Sequence, residues 1–436
     1  MGEFDAGVPE NRPTGPPRRR SLLVDVGPLR DSAAFRFLFV ARVVLLLGVG
    51  LVAVTVPLEV YALTGSTPTV GVVAAAEGFA FFAGYLAGGV LADRGDRWRL
   101  IVRTWLVCGV SFAGLALNAL LLDSVWAVFG CVALNGVSGS ICITAMMAVL
   151  PDLVDRSQLH AVGALNTLAM RLGTVVAPAA GGAVMAVAGP EWSYGAGAVA
   201  ALTTWAGLVV AWTRIRPEHD GVQVAPAAEG PLRSLASGYR FVAGEPVVRG
   251  VMIAGVVGMC GGGSLVLVPA FVDAELGGDP RVVGLMYSAL SAGLIIGAVG
   301  SGRLAGVARP GRLLLVMMIV SFLCYAAVGL SSTVPIVVLI VVAAGLSVSV
   351  EEVLRHALPQ LRTPAAMLGR VNSFFGAQNM SGAAVGALVA GVFGGAFGPA
   401  RAFWVYNAAM AVVSVGVLAA LPGLRRAEIG DPQQKA

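Results

Sequence analysis

The sequence predicts an all-α polytopic membrane protein whose twelve transmembrane helices form two six-helix bundles. Three observations lead there. Of 436 residues, 57% are hydrophobic and 12% charged, with a mean hydropathy of +0.84, whereas a soluble chain carries about a quarter charged residues. Apolar runs near the roughly 20 residues that span a bilayer as a helix recur throughout, at 36–63, 69–92, 98–121, 125–149, 160–187, 193–213, 247–273, 281–305, 311–330, 334–356, 367–395 and 399–421. A polar stretch rich in Pro and Ala, from Arg214 to Pro246, divides these runs six and six.

Residues 1–35 begin with a Pro/Arg-rich segment lacking the apolar core of a signal peptide, and read as a disordered cytoplasmic tail. The N-terminal bundle follows at 36–213, the linker at 214–246, the C-terminal bundle at 247–421 and a second cytoplasmic tail at 422–436. Within the linker, Pro231 to Ala243 spaces Leu232, Leu235, Tyr239 and Phe241 as one helical face with basic residues between, the pattern of an amphipathic helix on the inner leaflet.

Charge sets the orientation. Arg18, Arg19, Arg20, Arg94, Arg97, Arg99, Arg303, Arg309, Arg370, Arg425 and Arg426 fall in tails and loops on one side, against Arg281 and Arg401 on the other. By the positive-inside rule both termini are cytoplasmic, and a bacterial cytoplasmic membrane is the expected location. The net charge of +5 concerns the membrane surface, since no basic cluster sits on a soluble domain to bind nucleic acid.

Cys108, Cys131, Cys142, Cys260 and Cys324 lie inside apolar runs without CxxC spacing, as small buried thiols do. The sole lysine is Lys435, so no P-loop exists and ATP-driven transport by this chain alone is excluded. No HExxH or GxSxG occurs, and no cofactor or metal is expected.

The halves echo one another. Leu150-Pro151 followed by Gly163-Ala-Leu-Asn166 matches Leu358-Pro359 followed by Gly369-Arg-Val-Asn372. Two parallel repeats with a site between them near the midplane is the arrangement this implies.

The stretch from Gly84 to Arg103, GYLAGGVLADRGDRWRLIVR, places Gly88, Gly89, Asp93, Arg94, Arg97 and Arg99 at the junction of two spans. It resembles the loop between helices two and three of the major facilitator superfamily. In the fifth span, Gly173, Ala177-Pro178 and Gly181-Gly182 look like the antiporter signature of exporting facilitators, with Ala177 in place of one glycine. Thr363-Pro364, Gly369-Arg370-Val-Asn372 and Gln378-Asn379 resemble bacterial siderophore exporters of the enterobactin type, as do Pro231-Leu-Arg-Ser-Leu and Ala308-Arg309-Pro310-Gly311. The resemblance runs along nearly the whole chain. It departs in being neutral at Asn135 and Ala383, where the subfamily can carry acids, and in placing an acid at Glu77.

The resemblance implies a conformational latch of Gly89, Asp93, Arg94 and Arg97, with Arg370 as partner, holding the two halves in one alternating-access state. A local salt bridge fixing topology is the alternative. Glu77 sits about 12 Å from the outer end of the second span, deep enough to be a functional candidate. With Phe81, Gly84 and Gly88 it shares a face expected to meet the eleventh span near Gln378 and Asn379. A protonated, inert glutamate is the rival reading.

Arg171 lies too deep to snorkel easily and needs an acidic ligand or a protein carboxylate. Arg42, nearer the inner surface, can snorkel. Asn135, Asn166, Asn372, Gln378 and Asn379 offer amides to a hydroxyl-rich solute or to neighbouring helices. The signature around Gly173, Pro178, Gly181 and Gly182 kinks its helix and allows close approach. Glu351 and Arg355 form an i,i+4 pair in the favourable order, expected to stabilise the inner end of the tenth span. His160, His219 and His356 fall in or near loops.

Together these observations predict a monomeric secondary exporter, not an enzyme. It moves a small amphipathic molecule, a siderophore or alternatively a drug, by proton-coupled alternating access. A non-transporting membrane protein is the distant alternative.

Overall fold

A computed structural model describes residues 27–31, 33–94, 96–149, 158–214 and 231–427. Among them are twelve helices long and apolar enough to cross a membrane: α1 (Ala33–Thr64), α2 (Thr67–Arg94), α3 (Arg97–Leu121), α4 (Val125–Val149), α5 (Leu159–Ala188), α6 (Pro190–Arg214), α7 (Pro246–Glu275), α8 (Pro280–Gly300), α9 (Pro310–Val328), α10 (Val334–Arg362), α11 (Ala365–Phe397) and α12 (Pro399–Ala420). Helices satisfy their backbone groups internally, which hydrocarbon demands. Large apolar side chains such as Trp126 and Val299, both 83% exposed, face outward as lipid-facing groups do.

The packing repeats when six is added to each helix number. In the first half α1 packs on α5 and α6, α2 on α4, and α3 on α4 and α6. In the second, α7 packs on α11 and α12, α8 on α10, and α9 on α10 and α12. Even the turns repeat. Gly189 (φ +94°) before Pro190 ends α5, and Gly398 (φ +77°) before Pro399 ends α11. Each glycine takes a backbone conformation that other residues adopt only with strain, while each proline opens the next helix where no N–H is required.

Two features depart from the expectations. Helix α10 continues to Arg362, so His356 is helical. Helix α7 is broken by a 3₁₀ turn at Cys260–Gly263, and the Tyr406 hydroxyl donates to Cys260 O (2.6 Å), meeting a carbonyl at the break.

The linker helix, Pro231–Gly244, docks on the N-terminal end of α11, where Gly238 lies against Arg370 and Phe374. Asp96 caps α3 by accepting from the backbone N–H groups of Trp98 and Arg99, and pairs with the Arg99 side chain at 3.2 Å.

Candidate functional site

The bundles meet along two seams, α2 with α11 and α5 with α8. Both seams are tightest at the end away from the termini. There Gly71 approaches Ala387 O and Gly391, Gly78 approaches Ala384, and Gly182 approaches Gly284 and Pro280 O. The hydroxyls of Ser288 and Ser291 on α8 donate to Val175 O (3.0 Å) and Thr174 O on α5. Towards the other end, a side-chain carbon at Gly89, Gly300 or Gly376 would meet nothing within 4 Å among the described residues. Among the described residues the two bundles are therefore held most tightly at the end away from the termini.

Glu77 lies near the middle of α2. It is half-buried and makes no hydrogen bond or ion pair among the described residues. The expected face of Glu77, Phe81, Gly84 and Gly88 exists, but its partner is α4. Gly84 abuts Val137 and Ser140, Gly88 abuts Ile141 and Thr144, and Gly136 abuts Glu77 O. The α11 seam uses Gly71 and Gly78, about 100° round the helix.

Gln378 and Asn379 are likewise directed away from Glu77. Gln378 Nε2 donates to Met252 O of α7 (2.6 Å), and Asn379 Oδ1 accepts from Arg355 Nη1 of α10 (3.0 Å). Asn135 is buried and donates to Ser111 of α3 at 2.9 Å, tying two helices of one bundle. Asn372 is exposed and lines a cleft between α10 and α11 with Ala357, Gln360, Leu361 and Leu368.

Arg42 does not snorkel. It is 6% exposed, and its Nε and Nη1 lack partners. With Asn166, whose Oδ1 is also unpartnered, it lines a cavity of about 10 Å³, the room of roughly one water molecule.

The α5 signature faces two ways. Gly173 and Gly181 approach Leu46 and Leu51 of α1, whereas Gly182 and the Pro178 carbonyl approach Gly284 of α8. One segment thus holds its own bundle together and forms the closed seam.

Arg370 donates to Ser237 of the linker helix, and Arg97 is half-buried at the start of α3. The side chains of Asp93, Arg94 and Arg171 lie outside the described part of the structure.

Two buried acids went unremarked or undervalued in the sequence. Glu59 of α1 is 3% exposed and accepts from the Tyr194 hydroxyl at 2.5 Å, while its Oε1 has no partner. An acid inside VPLEVY was signal enough. Glu351 and Arg355 are 5% and 1% exposed, so they belong to the bundle interior, and they form no ion pair with one another.

The chain matches the family model described as transmembrane secretion effector over residues 24–434. It is 35% identical over 422 residues to the Enterobactin exporter EntS of Escherichia coli, covering 96% of this chain and 99% of that one. The same figures hold for the protein of that name in Shigella boydii. Among solved structures it resembles a bacterial homologue of the human lysosomal transporter Spinster (TM-score 0.69, 14% identity, 90% and 95% of the two chains). It also resembles a peptide transporter POT bound to alafosfalin (TM-score 0.72, 15% identity, 92% and 96%). At such identities the structural likeness speaks for the fold alone. The match along nearly the whole length, on a scaffold of two repeated six-helix bundles, makes this chain a member of the transmembrane secretion effector family of the major facilitator superfamily.

Proposed function

We propose that the protein exports a small amphipathic molecule of the siderophore type across a bacterial cytoplasmic membrane. It works as a monomer with both termini inside, by proton-coupled alternating access and without bond-making chemistry. Identity of 35% to enterobactin exporters, spread over 96% of the chain, carries the reading of the solute. Two seams between the bundles, tight at the end away from the termini, support the mechanism, because rocking about α2–α11 and α5–α8 would open that end and close the other.

In this scheme Asp93, Arg94, Arg97 and Arg370 latch the inner end once it closes, and Glu77, beside both bundles, exchanges the coupling proton. Arg171 meets acidic groups of the solute, and Asn372 its hydroxyls.

The test uses the full chain in inside-out vesicles with an acidic lumen. Enterobactin should accumulate, and collapse of the gradient should release it. Accumulation of a cationic dye without enterobactin would replace the siderophore by a drug. Movement of neither by correctly folded protein would refute export.

A further inference from the structure

Within the C-terminal bundle, α10 carries a buried acid and a buried base one helical turn apart that do not pair. Glu351 and Arg355 are 5% and 1% exposed, in the order and spacing that normally favour an ion pair. Instead the two side chains diverge. Arg355 reaches α11 and donates to Asn379 Oδ1 at 3.0 Å, leaving its Nε buried without an acceptor. Glu351 sits on Gly258 of α7, where a methyl group would collide with its Oε1. Gly258 directly precedes Met259 and the 3₁₀ break at Cys260–Gly263, and Met259 and Cys260 abut Gly382 and Gly386 of α11.

A buried base with an orphaned donor beside a buried acid is costly unless one partner is neutral or another arrangement is also used. Both arrangements are open to these side chains. With Glu351 protonated, Arg355 can stay on Asn379. With Glu351 ionised, attraction across one turn draws Arg355 away from α11. The other groups bearing on Glu351 are few. Glu352 of α10 is exposed, and Tyr325 comes from α9. Helix α7 offers Gly258, its Arg249 being bonded to Ala243 O, and α11 offers amides. His356 points elsewhere, against Phe375.

We infer that Glu351, Arg355 and Asn379 form a proton-operated switch that fastens α11 to α10 when Glu351 holds a proton and frees it when the proton leaves to the aqueous phase. Because α11 also forms the seam with α2, freeing it biases the rocking of the bundles. The switch deepens the proposed proton coupling and rests on that reading, while its test does not require transport.

Hydrogen–deuterium exchange of the full chain in nanodiscs at pH 6 and pH 8, corrected for intrinsic rates, should show faster exchange at pH 8 in peptides from 352–378. Glu351→Gln, fixed neutral, should remove that difference. Asn379→Asp supplies Arg355 with a competing carboxylate and should remove it too, so the idea remains open to refutation if one variant misfolds. Glu351→Asp should keep the difference. A wild type without the pH difference, or a folded Glu351→Gln retaining it, overturns the switch. In vesicles, Glu351→Gln should lose gradient-driven enterobactin accumulation yet keep enterobactin counterflow. Wild-type vesicles that move no enterobactin would sink the siderophore reading and leave the exchange experiment to judge the switch.

Discussion

Replacing Gly182 by valine should loosen the tight end of the α5–α8 seam. A Cβ at this position falls 2.8 Å from both Gly284 Cα and Pro280 O, on the opposite bundle. Carbon atoms rest about 3.5–4.0 Å apart, so α5 and α8 must separate by roughly 0.7–1.2 Å. Both obstructing atoms are backbone, and no rotamer change relieves them. Overpacking of this kind costs about 1–3 kcal/mol. Because the cost falls only on the closed state, it shifts the open-to-closed ratio of this end by about 5- to 150-fold.

Gly181 provides a control on the same helix. Its Cβ would meet Leu51 of α1 at 3.3–3.4 Å, inside one bundle, so Gly181→Ala should leave the ratio alone. The readout is labelling of Ser288→Cys, on the seam where Ser288 donates to Val175 O, by a bulky maleimide in nanodiscs. Labelling should accelerate by the factor above in Gly182→Val. An unchanged rate, or equal acceleration in Gly181→Ala, would refute the assignment of this seam as the moving contact.

Asp93→Asn should lower export several-fold in vesicles while leaving insertion and solubilised yield unchanged; undiminished efflux would retire the latch. Glu77→Gln should abolish the dependence of enterobactin accumulation on lumenal acidity, and a retained dependence would make Glu77 structural. Tyr194→Phe removes the donor to Glu59 and should cost about 1–3 kcal/mol, read as a lower midpoint of thermal unfolding; an unaltered midpoint would show that the bond contributes nothing. Arg42→Met removes buried donors that have no partner and should leave thermal stability unchanged or raised; a lowered midpoint of thermal unfolding would show that the guanidinium stabilises the fold.

The number of crossings, most of their limits and the duplication were legible because each depends on local chemistry. Hydrocarbon admits no unsatisfied backbone, so a span must be a helix of sufficient apolar length, and Gly-Pro pairs such as Gly189-Pro190 mark turns by their own backbone preferences. The neighbour of each face was not legible. In water, polarity separates an inner face from an outer one, but the lipid-facing and helix-facing sides of a membrane helix are both apolar. Spacing could therefore group Glu77, Phe81, Gly84 and Gly88 on one face without revealing that α4 covers it.

The same limit applied to Glu351 and Arg355, where spacing suggested a stabilising pair, whereas both are interior groups, Arg355 bonded to α11 and Glu351 packed against α7. Sequence alone determined a twice-repeated set of six spans with acids, bases and glycines at particular depths, since depth follows from counting along a helix. Only the tertiary structure decided that the seams close at the end away from the termini, that Arg42 is sealed against Asn166, and that Arg355 reaches Asn379 in preference to Glu351. Those outcomes depend on the rotation of each helix about its axis and on which bundle it meets, and both are set by the packing of all twelve helices together.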